Sequence, residues 1–206
     1  MEQAEDDIDD LVVDFTVRLS ELNESPAEAL AHEINGTIYL VDPDAGEQVF
    51  PIGHVTACLF NIVALRDAGS FMLDPYDMRS HHLSETYARI YDLDGDDFDY
   101  RVLKKAEFDD PLLVQWHLHA SGLYLRPEFR GRRRGVRALK LLKELAQRPS
   151  LLVTARAFPE EPDQRAAKPN AKDIAALARY YLREKALGFQ QIGRLDQGWL
   201  VANWST

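Results

Sequence analysis

Hydrophobic positions along this chain recur at two periods, and each change of period marks an element boundary. Residues 11–19 (LVVDFTVRL) alternate as a half-buried first strand. A short helix fits 26–32. Residues 33–42 and 48–64 then read as the two arms of a hairpin around the turn formers of 43–46. Helical spacing returns over 75–91 (PYDMRSHHLSETYARIY). Residues 112–125 (LLVQWHLHASGLYL) are rich in Leu, Val, Trp and Tyr and read as a strand broken only by Gly122, where a bulge is expected. Beyond it Val136, Leu139, Leu142 and Leu145 share one helix face, with Lys140 and Lys143 off it. Residues 157–172 are rich in Pro, Glu and Ala and read as a long loop, 180–189 read as the end of a helix, and FQQIGRLDQGWLVANW closes the chain as a hairpin turning near 196–198.

Between the 112–125 strand and the following helix lies RPEFRGRRRGVR, twelve residues holding six arginines. A strand that ends in a Gly-containing turn and opens a helix presents unpaired backbone N–H groups and the positive end of the helix dipole. Phosphate is the natural occupant of such a turn.

The stretch LYLRPEFRGRRRGVRALKLL resembles the acyl-coenzyme A binding signature of the GNAT superfamily of N-acetyltransferases. That signature is an Arg or Gln, two residues, a Gly, one residue, and a Gly or Ala, after a strand that ends in an apolar-x-apolar-x-Pro run. Leu123, Leu125 and Pro127 fit the strand end, Arg130 the first signature position and Gly135 the last. Arg133 stands where the family has its first glycine. Either the backbone needs no positive φ there, or the diphosphate is cradled less closely and the arginine compensates with charge. A second stretch, YYLREKALGF, resembles the family's later helix with its Tyr and Gly-Phe. Tyr181 lies seven residues before Gly188, about two turns where the family has about one, so a longer helix is expected. The resemblance covers 112–204.

The resemblance implies an α/β (α+β) fold with a mixed, largely antiparallel central sheet flanked by helices, in one domain spanning 1–206 with an acidic tail at 1–10. Relatives carry the helices of the first half between the first and second strands. Here they follow a hairpin, which would reshape the acceptor side. It also implies an N-acetyltransferase that moves an acetyl group from acetyl-CoA directly to a primary amine. Backbone groups of Leu123, Tyr124 and Leu125 would pair with the pantetheine arm and thioester oxygen, and Arg130, Gly131, Arg132, Arg133, Arg134, Gly135 and Val136 would wrap the phosphates. Tyr181 is the candidate acid that returns a proton to the thiolate, with Tyr180 as fallback. His117 and His119 lie on one strand face and are candidate bases, although each also reads as a hydrogen-bonded structural histidine. A non-catalytic acyl-CoA sensor or interaction module is the alternative, motivated by Arg133 and by the Tyr181 spacing.

Composition narrows the partners. With 206 residues and 46% hydrophobic content the chain can bury one sizeable core. A formal net charge of −10 argues against a general nucleic-acid binder and favours a cationic acceptor. Cys58 is the single cysteine and lies in an apolar run, which excludes an intrachain disulfide and points to an inert thiol rather than an acyl-cysteine. The longest apolar run, 55–65, is eleven residues and contains Asn61, too short to span a bilayer. The acidic start lacks the features of a signal peptide. A cytoplasmic protein is expected, and exposed strands leave a homodimer open. Asp92, Asp94, Asp96, Asp97 and Asp99 superficially resemble a calcium loop, but Gly95 comes too early and Leu103 stands where the bidentate Glu belongs. His81 and His82 find no third ligand in the sequence, so no metal is expected.

Overall fold

The computed structural model describes residues 10–18, 30–41, 49–69, 74–77, 81–92, 97–159 and 170–206. Strands β1 (Asp10–Arg18), β2 (Ala31–Val41) and β3 (Val49–Asn61) run as an antiparallel meander. Helices α1 (Ile62–Asp67), α2 (Asp74–Asp77) and α3 (His81–Ile90) follow, then the small ribbon β4 (Tyr91–Asp92) with β5 (Asp97–Phe98), and α4 (Tyr100–Lys105). The second half is β6 (Trp116–Leu125), α5 (Arg134–Ala146), β7 (Leu151–Arg156), α6 (Ala171–Leu182), β8 (Gln190–Gln191) and β9 (Trp199–Asn203). Seven strands form one mixed sheet in the order β1-β2-β3-β6-β7-β9-β8. Only β6 and β7 are parallel, as a crossover through α5 requires.

Each face of the sheet carries its own core. Leu118, Ala120, Val153, Leu200 and Ala202 pack with α5 and α6, through Val136, Leu139, Leu142, Ala178 and Tyr181. On the other face Cys58, Phe60, Leu152, Trp199 and Val201 pack with the first-half helices, through Ile62, Leu65, Tyr87, Ile90, Val102 and Leu103. β7 (LLVTAR), covered on both faces, is therefore buried at every position except Arg156 and opens with three apolar residues in a row. Cys58 is buried, as its apolar surroundings led one to expect. Among the described residues no helix is long and apolar enough to cross a membrane.

Several boundaries differ from the pattern reading. Residues 111–113 form a 3-10 turn rather than the start of the strand, because Pro111 begins it and the Asp110 carboxylate caps the Leu112 amide at 2.8 Å. Ala31 and His32 belong to β2, paired with Phe60 and Leu59, instead of closing a helix. Ile62 leaves the β3 run and opens α1, since the Asn61 side chain caps the Ala64 amide. Lys172 lies inside α6 because the Asn170 side chain caps the Asp173 amide at 2.9 Å. Leu145 is 42% exposed, while Ala146 takes the inward position; strict three-residue spacing drifts off a 3.6-residue helix face. The expected hairpin turn at 43–46, the helix start at 26–29 and the acidic tail at 1–9 lie outside the described residues.

Two of the acidic loop's residues have structural duties. Asp97 pairs with Arg66 at 2.9 Å, and Arg66 also donates to the Pro111 carbonyl, tying the β4–β5 ribbon to the segment before β6. Asp99 caps α4, and its hydrogen bond from Arg101 holds its carboxyl below the usual carboxylate range despite partial burial.

Candidate functional site: a cavity between two parting parallel strands

β6 pairs with β7 only from Trp116 to Ala120. There Ser121 is an extra residue: Ala57 faces Ala120 and Thr56 faces Gly122, so Ser121 has no partner in the ladder. The bulge expected at Gly122 falls at its neighbour, and it exchanges the strand's two faces. Leu118 and Ala120 point to the α5–α6 core before it, Leu123 and Leu125 after it. Past the bulge β6 follows β3 and leaves β7, which ends at Arg156, the chain continuing to Phe158 and Pro159.

A cavity of about 480 Å³ occupies the gap. Leu123, Tyr124 and Leu125 form one wall, Phe158 and Pro159 the other, and Leu177, Tyr180 and Tyr181 of α6 a third. Arg130, Gly131, Arg132, Arg133 and Gly135 form the rim at the start of α5. The site is therefore apolar in its depth and cationic at its mouth. Gly135 lets the helix start sit close on the strand, since a Cβ there would lie 3.3 Å from Leu123 Cδ2. Gly53 does the same on the other side of β6, where a Cβ would fall 2.1 Å from the Tyr124 carbonyl oxygen.

The loop before α5 takes an unusual backbone path. Gly131, Arg132 and Arg133 have φ of 90°, 45° and 55° in succession. Arg133, at the position where a glycine was anticipated, thus adopts the left-handed conformation that glycine favours. The alternative of an ordinary backbone at that position does not hold. Arg130 donates from Nε to the Leu125 carbonyl and lies over the Tyr124 ring.

The structure brings together ten of the residues singled out from sequence: Leu123, Tyr124, Leu125, Arg130, Gly131, Arg132, Arg133, Gly135, Tyr180 and Tyr181. Arg134 and Val136 are not among the cavity's lining residues. Val136 packs into the core, and Arg134 is buried and donates to the Phe129 carbonyl at 3.1 Å, so it stabilises the loop from within. Tyr181 is 7% exposed and belongs to the α5–α6 core as well as the cavity wall. The Val136 amide donates to the Tyr180 hydroxyl; burial raises that phenol's pKa, and the Arg133 charge and the amide oppose the rise.

His117 and His119 lie outside the cavity. Both are buried on the opposite face of the sheet, where the bulge leaves them, and neither reaches the gap. Tyr76 bonds His117 Nδ1 at 2.6 Å, and Thr154 Oγ1 bonds both His117 Nε2 and His119 Nδ1. Burial, with His119 alongside, holds the His117 imidazole well below the usual histidine range and therefore neutral.

Sequence reading missed Leu177, Phe158 and Pro159. Leu177 was recoverable, because it precedes Tyr181 by one turn on the same helix face. Phe158 and Pro159 carry no local signal; they reach the site because the chain beyond β7 follows the β9 side, with the Ala157 amide donating to the Gly198 carbonyl, instead of β6.

No protein-family model matches this chain, and no curated protein matches it.

Proposed function

We propose that the chain is an acyl-CoA-dependent N-acyltransferase of GNAT type, transferring acetyl from acetyl-CoA to a primary amine. One observation carries the reading. The gap between two parallel strands, apolar within and rimmed by arginines and a helix N-terminus, suits a long flexible arm that ends in phosphates. The bulge in β6 and the position of Tyr181 on the cavity wall support the resemblance noted in the sequence.

On this reading the amine nitrogen attacks the thioester carbonyl, a C–N bond forms and the C–S bond breaks. Backbone amides past Ser121 on the edge of β6 that no longer pairs with β7 are suited to stabilising the carbonyl oxygen, and the Tyr181 hydroxyl to protonating the departing sulfur. His117 and His119, both sealed on the far face, do not serve as base in this scheme. The ammonium loses one proton to solvent before it attacks, and the proton the nitrogen sheds as the intermediate collapses restores the Tyr181 hydroxyl through solvent.

A second reading, a non-catalytic acyl-CoA sensor, is favoured by that same absence of the two histidines from the cavity. Calorimetric titration with acetyl-CoA and coenzyme A, beside an Arg130→Ala, Arg132→Ala double variant, tests the shared premise; Arg134 is unsuitable because it holds the loop together. Micromolar binding that the double variant loses is the expected result, and no binding by the natural chain refutes both readings. Acetyl transfer to any member of a panel of primary amines then separates the enzyme from the sensor.

A further inference from the structure

We propose that Glu184 is a positioning residue of the arginine loop, holding Arg133 in the left-handed conformation from which α5 starts. This rests on the reading of the cavity as an acyl-CoA site and adds a residue that lies beyond its walls.

Arg133 is the N-cap residue of α5, yet its side chain makes no capping hydrogen bond. Its positive φ is one that any Cβ disfavours, so a contact from outside the loop that favours this conformation is stabilising there. Glu184 supplies the contact. Its carboxylate pairs with the Arg133 guanidinium through Oε2, and Lys140, two turns along α5, lies 3.4 Å from Oε1. The Glu184 side chain is only 10% exposed, so this anion sits largely out of water between two cations.

Its placement follows from the segment after α6. The additional residues between Tyr181 and Gly188 do not lengthen the helix: α6 ends at Leu182, Glu184 is extended, and Lys185–Leu187 make a separate 3-10 turn closed by Gly188 at φ 68°. That turn is fastened to the same stripe of α5. Lys143 Nζ donates to the Ala186 carbonyl at 2.8 Å, and the buried Trp204 indole donates to the Leu187 carbonyl at 2.7 Å. Glu184 is thus presented to Arg133 by a rigid support, and the two departures from the glycine-containing pattern meet in one ion pair. Glycine needs no such hold at this φ.

The test is a cycle of E184Q, R133G and the double variant, each titrated calorimetrically with coenzyme A and unfolded in urea. E184Q is expected to weaken coenzyme A binding about tenfold, or ~1.4 kcal/mol, and that penalty should vanish in the R133G background. Binding by E184Q that equals or exceeds the natural chain's, or an equal penalty in both backgrounds, overturns the proposal. If the natural chain does not bind coenzyme A, the acyl-CoA reading fails while the unfolding cycle still decides the hold. E184Q must then lower the urea midpoint more when Arg133 is present than in R133G, where only the Lys140 and Ala186 contacts of Glu184 remain to be weakened; equal losses reject it.

Discussion

Thr154 Oγ1 stands between two histidines, 2.8 Å from His117 Nε2 and 3.0 Å from His119 Nδ1. A threonine hydroxyl has one proton to give, so it donates to one ring and accepts from the other. The pair of imidazoles is therefore oriented as a unit, with Tyr76 at its far end. Thr154→Val keeps the shape and removes both bonds, leaving two buried ring nitrogens facing a methyl group. A loss of about 2–3 kcal/mol of unfolding free energy is expected. Thr154→Ser, which keeps the hydroxyl, should lose less; equal losses in a urea series would show that the hydroxyl contributes nothing.

The neutral state of His117 makes stability depend on pH. Its folded pKa lies below the unfolded value, near 6.5. Above that value neither state is charged and the stability is intact. As pH falls through 6.5 towards the folded pKa, the unfolded chain takes up a proton that the folded one does not. Unfolding free energy should then fall with a slope approaching ~1.4 kcal/mol per pH unit from this one group. Urea midpoints at a series of pH values between neutral and acid, for the natural chain and His117→Phe, check this. A slope unchanged by the substitution would mean another group is responsible.

At Gly53 β3 passes so close to the cavity strand that no Cβ fits between them. Gly53→Ala places a methyl 2.1 Å from the Tyr124 carbonyl and 2.9 Å from Leu125 Cδ2, and neither backbone can yield without opening the β3–β6 ladder. The expected cost is about 2–3 kcal/mol, with coenzyme A affinity falling in parallel because the strand that yields is the cavity wall. Unchanged melting by calorimetry would place the strands further apart than described.

Tyr181 and Tyr180 are adjacent but should behave differently. Tyr181→Phe removes the proposed acid and should lower acetyl turnover about a hundredfold or more while acetyl-CoA affinity stays near that of the natural chain. Tyr180→Phe strips the partner from the Val136 amide, so its effect should appear as lost stability of about 1 kcal/mol, as for a helix cap. Steady-state kinetics and urea unfolding of both variants separate the roles. A Tyr181→Phe variant with full turnover excludes it as the acid.

Cys58 is 5% exposed within the first-half core. A chromogenic disulfide reagent should find no reactive thiol in the folded protein and one per chain in denaturant. Rapid labelling of the native chain would show that this core opens readily.

Much of the second half was legible because its signals are local. The apolar run of β6, the arginine-rich turn and the leucine spacing of α5 each depend on neighbours in sequence, and so do the closing turn with Gly198 at φ 74° and the β8–β9 hairpin. The candidate site was legible as a loop and a helix face, but not as a cavity. Arg134 reads like its neighbours in sequence, yet it is the one that turns inward to Phe129. His117 and His119 were correctly placed on one strand face. Which face that is depended on Ser121, since one unpaired residue exchanges the two sides of β6.

Local signals along the chain were enough to show that strands and helices both occur, that an anion-suited turn joins a strand to a helix, and that the one thiol lies in an apolar run, whereas the mixed sheet was expected only from the resemblance. Propensity, periodicity and capping act over a few residues, so a linear reading can reach them. The tertiary structure alone decided that β6 and β7 part after Ala120, that the histidines are sealed on the far face, and that Glu184 meets Arg133 across 51 residues of sequence. Each of those depends on where distant segments pack, and burial and ion pairing are settled only when the chain has closed on itself.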